Sequence, residues 1–119
     1  LMHEASIVQS LIDLVRENVP EGSRVRKVNV RVGLLTGVSP DSMQFYFEIL
    51  REGTPCERAD LAVELEPLNA ECETCGQKMV LHEPLWLCPH CGGSRLRFAN
   101  GDELNLSSIE VEDGEDLHA

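Results

Sequence analysis

Two short segments, Cys72-Glu-Thr-Cys75-Gly76 and Cys88-Pro-His-Cys91-Gly92, decide how the middle of this 119-residue chain folds. In each pair, a two-residue gap lets both sulfurs reach one metal ion from a tight turn. The glycine that follows can adopt the positive φ that such a turn needs. Two pairs supply a tetrahedral set of sulfur ligands, which is the closed geometry of structural zinc. The spacing therefore predicts a zinc ion held by Cys72, Cys75, Cys88 and Cys91, with no position left open for catalysis.

Two other interpretations of the same cysteines stay open. Disulfides would use all four thiols, but they are rare in the reducing cytoplasm, which is the expected location of this chain. Iron bound as in rubredoxin uses a similar Cys-Pro-x-Cys-Gly segment, although the short spacer and the few aromatic residues count against it. The fifth cysteine, Cys56, has no partner pair and is expected to be an inert thiol. His82 and His90 are expected to be surface histidines.

The sequence on either side of the cysteines alternates between helical and strand patterns. Apolar residues at spacings of three and four predict an amphipathic helix over residues 2–18. A second helix is predicted from Pro40 to about Glu52, with Ser39 as its N-cap. Alternation of apolar and polar residues predicts strands at 28–34, 61–65 and 104–111.

This order of elements predicts an α+β fold, in which a three-stranded sheet is packed by two helices. Residues 1–67 and 103–119 would form that domain, and residues 68–102 would form an inserted zinc-ribbon module. The insertion has few aliphatic side chains, so we expect its stability to depend on the metal. Within it, Leu85-Trp86-Leu87 is expected to form a short strand that leads into the second cysteine pair.

Composition limits the classes of function. The chain has 21 acidic and 10 basic residues, and its formal charge of −11 argues against nucleic acid as the main partner. It lacks the run of roughly 18 apolar residues that spans a bilayer, and it lacks the basic and apolar regions of a signal peptide. No nucleophile–histidine–acid set indicates an enzyme. We therefore expect a cytoplasmic binding protein; the alternatives are a zinc-ribbon adaptor and a rubredoxin-like electron-transfer module.

The segment Met2-His3-Glu4 lies at the start of the first predicted helix, where backbone N–H groups have no intrahelical partner. The imidazole of His3 and adjacent backbone nitrogens can form the planar nitrogen set that suits Ni(II) or Cu(II). An ordinary solvated histidine is the alternative. Glu4 and Asp41 fall in the first turns of the two helices, where an acid also complements the helix dipole for structural reasons alone.

Taken together, these segments resemble the HypA/HybF family of hydrogenase-maturation nickel metallochaperones over nearly the whole chain. The resemblance rests on Met2-His3-Glu4 with Ser6-Ile7, Val30 to Val38 (VRVGLLTGV), Pro40-Asp41-Ser42, Phe45-Tyr46-Phe47, Glu52-Gly53-Thr54 and the two cysteine pairs. It implies a nickel-binding α/β domain that carries a zinc ribbon. It also implies a carrier, not an enzyme, that transports Ni(II) and contains structural Zn(II).

The implied partners are a nickel GTPase of hydrogenase maturation and the large subunit of [NiFe]-hydrogenase. In some bacteria, family members also supply urease, so urease and its accessory proteins are further implied partners. The family's essential nickel ligand is the histidine after the initiator methionine, which is His3 here, with Glu4 and Asp41 associated with the site. The chain departs from the family in Leu1, which precedes Met2. If Leu1 is the terminal residue, we expect a planar four-nitrogen chelate that binds nickel but transfers it poorly.

Overall fold

The computed structural model of the chain describes residues 4–112 and the backbone of residues 117 and 118. The chain divides into two compact units. Unit 1 comprises Leu1–Arg31, Val38–Glu64 and Asn105–Ala119, and unit 2 comprises Val32–Gly37 and Leu65–Leu104. Residues 32–37 thus lie in the cysteine-containing unit, whereas the sequence analysis assigned them to the predicted α+β domain of residues 1–67 and 103–119. Independent folding of two domains stays a prediction.

Both predicted helices are present in unit 1. Helix α1 spans Glu4–Asn18, so the predicted start at residues 2 and 3 falls outside the described residues. Helix α2 spans Pro40–Leu50 and ends two residues before the predicted Glu52. The Ser39 hydroxyl oxygen caps α2 by accepting a hydrogen bond from the Ser42 N–H at 3.3 Å. Within the described part of the chain, no helix has the length and apolar character needed to cross a membrane.

The strands number seven in chain order: β1 Val25–Gly33, β2 Asp60–Glu66, β3 Leu68–Cys72, β4 Lys78–Leu81, β5 Leu96–Phe98, β6 Leu104–Val111 and β7 Leu117–His118. Four of them form one sheet in the order β2-β1-β6-β7. The predicted sheet had three strands. The fourth is the two-residue β7, which pairs antiparallel with β6 and places Leu117 opposite Ile109.

The core of unit 1 is aliphatic, with Phe47 as its one buried aromatic side chain among the described residues. Its buried side chains come from α1 (Ile7, Val8, Leu11, Ile12, Val15), from α2 (Met43, Phe47) and from the strands (Val25, Val28, Val30, Leu61, Ile109, Val111). The α1 residues recur at spacings of three and four and the β1 residues at spacings of two and three, so each element buries one face. The predicted α+β fold is confirmed.

Unit 2 contains a smaller antiparallel sheet in the order β4-β3-β5. Ala70 on the central strand lies opposite Met79 on one side and Phe98 on the other. Leu68, Ala70 and Leu81 form its buried hydrophobic cluster, and half-buried neighbours pack against them. This core is too small to hold the unit without a further constraint.

The predicted strand at 85–87 is wrong. The segment is irregular, and Trp86 and Leu87 are 66% and 60% exposed. Leu85 packs against the small core, and the Trp86 ring contacts the Phe98 ring edge-on at 5.9 Å. The segment is held by these side-chain contacts instead of by backbone pairing with the sheet. Alternation along the sequence could not reveal those contacts, because they involve residues distant in the chain.

Residues 32–37 join unit 2 through a close approach of two backbone segments. Gly33 N–H donates to the Glu103 carbonyl and Leu35 N–H to the Gly101 carbonyl, each at 2.8 Å. A Cβ on Gly33 would overlap the Gly101 carbonyl oxygen, and a Cβ on Gly101 would overlap the Leu68 side chain. Glycine is therefore required at both positions by space.

We expect Gly33→Ala to destabilise the protein by about 1–3 kcal/mol, the cost typical of overpacking. The backbone conformation of Gly33 (φ −70°, ψ 143°) suits alanine, so the loss would be steric. Gly22→Ala is the matched control, because Gly22 has φ +84° but open space around it. Chemical denaturation should show the larger loss for Gly33→Ala, and an equal or smaller loss would contradict the close approach.

Candidate metal centre

The two cysteine pairs form turns of the same geometry. Gly76 has φ +77° and its N–H donates to the Cys72 carbonyl at 2.8 Å; Gly92 has φ +75° and donates to the Cys88 carbonyl at 2.8 Å. Each turn therefore needs the left-handed conformation that glycine adopts without strain. The predicted positive φ after each second cysteine is confirmed.

The sulfur atoms of Cys72, Cys75, Cys88 and Cys91 all lie within 4.8 Å of one another. Two separations across the turns are 3.6 Å, between Cys72 and Cys91, and 3.8 Å, between Cys75 and Cys88. Sulfurs bound at about 2.3 Å to a tetrahedral zinc ion are about 3.8 Å apart. The four thiols are free of disulfides. The quartet therefore has the spacing that a metal ion such as zinc requires.

Backbone hydrogen bonds already favour negative charge on these sulfurs. The N–H groups of His90 and Gly93 point at the sulfurs of Cys88 and Cys91, each at 3.4 Å. Such amide contacts stabilise thiolates and orient metal-binding cysteines. Two further bonds hold the turns in place: Cys88 N–H donates to the Gly93 carbonyl at 2.7 Å, and Glu73 N–H donates to the Arg95 carbonyl at 2.9 Å.

Crowding limits how many of the four thiols can ionise without a cation. The hydrogen bond from the Cys75 backbone is the main cause that lowers the pKa of Cys72 to about 6. At Cys91, the hydrogen bond from the Gly93 backbone lowers the pKa, but desolvation and the three neighbouring sulfurs outweigh it and raise the value to about 12. A divalent cation bound to all four sulfurs would ease this conflict, because its charge offsets half of their combined negative charge and favours their deprotonated form.

The other cysteine and the histidines of the described chain lie outside this group. Cys56 is fully buried, and burial raises its pKa to about 11, as expected for an inert thiol. His82 and His90 are exposed. Among residues 4–112, the quartet is the one set of three or more cysteine, histidine or acidic side chains close enough to share a metal ion.

The second predicted site falls at the start of α1, and its principal residue, His3, lies outside the described residues. Glu4 is the first residue of α1, and its carboxylate accepts a hydrogen bond from the Ser39 N–H at 3.4 Å. Ser39 caps α2, and exposed Asp41 lies in the first turn of that helix. The structure therefore brings together the beginnings of the two helices that carry Glu4 and Asp41. Sequence analysis missed the contact between Glu4 and Ser39, because no local pattern links residues 35 positions apart.

Comparison with known proteins identifies the family. The family model described as "Hydrogenase/urease nickel incorporation, metallochaperone, hypA" matches residues 2–111. The chain is 39% identical over 113 residues to the hydrogenase maturation factor HypA of Aquifex aeolicus, covering 93% of this chain and 98% of that protein. It is 40% identical over 117 residues to the HypA of Streptomyces avermitilis, covering 95% and 89% of the two chains.

The fold agrees with this match. The solution structure of the nickel metallochaperone HypA from Helicobacter pylori superposes with a TM-score of 0.62 at 27% identity, covering 92% of this chain and 97% of that one. A second HypA solution structure gives a TM-score of 0.64, also at 27% identity, and covers 96% and 99% of the two chains. The chain belongs to the HypA family of hydrogenase/urease nickel-incorporation metallochaperones.

Proposed function

We propose that this chain is a nickel carrier that binds Ni(II) at its N-terminus and delivers it to [NiFe]-hydrogenase during maturation, and to urease in organisms that have one. Membership of a nickel-incorporation family supports the cargo. The hydrogen bond between Glu4 and Ser39 supports the location, since it joins the segment that follows His3 to the start of α2. This contact is the observation on which the proposed site depends.

The chemistry of the proposed site follows from its position at two helix starts. His3 would supply an imidazole, and adjacent backbone nitrogens would complete a planar set that suits Ni(II). Helix N-termini carry partial positive charge, which opposes a cation unless acids lie nearby. Glu4 and Asp41 would provide that negative charge. Because the Glu4 carboxylate already accepts a hydrogen bond, we assign it to positioning and charge compensation more than to direct ligation.

We further propose that the cysteine quartet holds a structural zinc ion. The spacing of the four sulfurs fits tetrahedral zinc, and the small core of unit 2 explains why the unit needs it. Iron bound as in rubredoxin would use the same ligands, and its red colour would distinguish it from colourless zinc. Zinc would engage the four thiols of the quartet, and the fifth thiol, Cys56, is buried, so neither would be offered to the nickel cargo.

Delivery requires partner proteins, and we propose the nickel GTPase of hydrogenase maturation and the hydrogenase large subunit. Where urease is the client, its accessory proteins would take that place. The family comparison supports a role in maturation. The chain would act by binding and release, and we propose no reaction catalysed by it.

Replacing Cys72 or Cys91 with alanine should remove the zinc and unfold unit 2, while the sheet and helices of unit 1 survive. Structural zinc contributes roughly 10–16 kcal/mol in zinc-finger peptides near neutral pH, far more than three buried side chains supply. Elemental analysis and amide hydrogen exchange would measure both effects. Cys56→Ala is the control and should retain the metal. Iron in the purified protein, or a folded unit 2 after chelation, would overturn the assignment.

Replacing His3 with alanine should abolish specific Ni(II) binding and leave the zinc content unchanged, because the two sites use different donors. Equilibrium dialysis with elemental analysis gives both quantities. His82→Ala serves as the control, since His82 is an exposed histidine of unit 2. Nickel affinity that is unchanged in His3→Ala, or lost in His82→Ala, would move the site.

Replacing Asp41 with alanine should weaken Ni(II) binding less than His3→Ala does, since Asp41 would act as a nearby charge or an occasional ligand. Nickel titration of the two variants at constant ionic strength makes the comparison. Glu17→Ala, which removes an exposed acid from the other end of α1, should change little. A loss as large as that caused by His3→Ala would make Asp41 a primary ligand.

A further inference from the structure

The outer face of α2 exposes two large apolar side chains. Phe45 is 59% exposed and Ile49 is 54% exposed. They are four residues apart, so they lie one above the other on the same face of the helix. The buried residues of α2, Met43 and Phe47, occupy the opposite face. Adjoining exposed apolar side chains often mark a surface that binds another protein.

Acidic side chains flank this apolar pair. Asp41 lies one turn before Phe45, and Glu48 and Glu52 lie beside and beyond Ile49; all three acids are exposed. Helix α2 contains no lysine or arginine. These five residues, Asp41, Phe45, Glu48, Ile49 and Glu52, are called the α2 stripe below.

The nearest basic residue in sequence does not compensate the stripe. The Arg51 guanidinium donates to the Ala59 carbonyl at 2.8 Å and lies 5.9 Å from the centre of the Phe47 ring. Ala59 and Phe47 are both buried, so the Arg51 guanidinium makes its contacts on the side of the helix that faces the core. The charge on the α2 stripe is therefore wholly negative.

One of these carboxylates lies where it costs stability. Glu48 is in the last turn of α2, where the helix dipole disfavours negative charge. Glu52 follows the helix, two residues after its last residue, Leu50. Locally unfavourable groups of this kind tend to occur at functional surfaces.

We propose that the α2 stripe is a docking surface for a partner protein that presents an apolar ridge flanked by lysine or arginine. Phe45 and Ile49 would supply the apolar anchors of a helix-type interface, and the acids would pair with the basic rim. A second copy of this chain would bring acids against acids, and anionic lipid or nucleic acid would be repelled. Charge complementarity therefore selects a basic protein partner.

The choice of partner rests on the proposed function. Because Asp41 begins the stripe, a partner docked along α2 would stand beside the proposed nickel site. The docking surface itself depends on Phe45, Ile49 and the two glutamates, and it is testable without nickel. The probes are the purified maturation GTPase and the purified hydrogenase large subunit from the same organism. Each is assayed in the absence of nickel, on the probe and on this chain alike.

The double variant Phe45→Gln/Ile49→Gln should weaken binding of at least one probe by about tenfold or more, as expected for the loss of interface anchors. The double variant Glu48→Gln/Glu52→Gln should slow association at low salt and flatten its salt dependence. The same charge variant should raise the thermal midpoint of the chain, because it removes the negative charge of Glu48 from the C-terminal end of the helix dipole. Circular dichroism would establish that both variants fold.

Helix α1 provides matched controls, since Leu14 is 41% exposed and Glu17 is an exposed acid outside the stripe. Leu14→Gln and Glu17→Gln should leave the affinity of both probes unchanged. Unchanged affinity in the stripe variants, equal losses in the controls, or no binding of either probe to the unsubstituted chain would overturn the proposal. So would a homodimer of the chain that dissociates in the Phe45→Gln/Ile49→Gln variant.

Nickel binding is measured separately on the same proteins. The Phe45→Gln/Ile49→Gln variant should keep the nickel affinity of the unsubstituted chain, because neither residue belongs to the proposed nickel site. If the unsubstituted chain fails to bind nickel while the stripe variants lose their partner, the proposed function is wrong and the docking surface stands. If nickel binds normally and the stripe variants keep their affinity for the partner, the docking surface is wrong and the proposed function stands.

Discussion

Four thiols lie within 4.8 Å of one another, and the separation of this chain into two kinds of metal site depends on that constraint. The hydrophobic cluster on the sheet of unit 2 has three buried members, too few to hold three short strands in place. Two glycine turns and the amides that point at the sulfurs prepare the quartet for a cation. Once those sulfurs are engaged, the remaining thiol, Cys56, is fully buried. We propose that a second metal uses nitrogen and oxygen donors, which are available at the start of α1.

The convergence of two helix starts has a cost that the sequence offsets with acids. Each start presents partial positive charge, which disfavours a bound cation. The Glu4 carboxylate accepts a hydrogen bond from the Ser39 N–H, and Asp41 lies exposed in the first turn of α2. A site of this kind would hold a cation less tightly than a closed cage of ligands. Moderate, open ligation suits a carrier, because its cargo has to leave.

Sequence patterns predicted the parts of this fold that local chemistry determines. Both helices, the N-cap at Ser39, the α+β class and the cysteine turns follow from spacing, capping and glycine conformation over a few residues. The strand expected at Leu85-Trp86-Leu87 is absent because side-chain contacts with the small core and with Phe98 hold the segment in place of backbone pairing. The Gly33–Gly101 approach and the Glu4–Ser39 hydrogen bond join residues far apart in sequence, so no local pattern contained them. For the metals, spacing alone indicated the quartet, whereas the role of His3 came from family resemblance.

The central claim is that nickel binds at the N-terminus through nitrogen and oxygen donors while the cysteines hold zinc. X-ray absorption at the nickel edge, on zinc-loaded protein with one equivalent of Ni(II), tests this most directly, because sulfur scatters differently from nitrogen and oxygen. We expect a nickel shell of nitrogen and oxygen atoms that includes imidazole, with zinc coordinated by four sulfurs in the same sample. Sulfur in the nickel shell, or displacement of zinc by nickel, would contradict it.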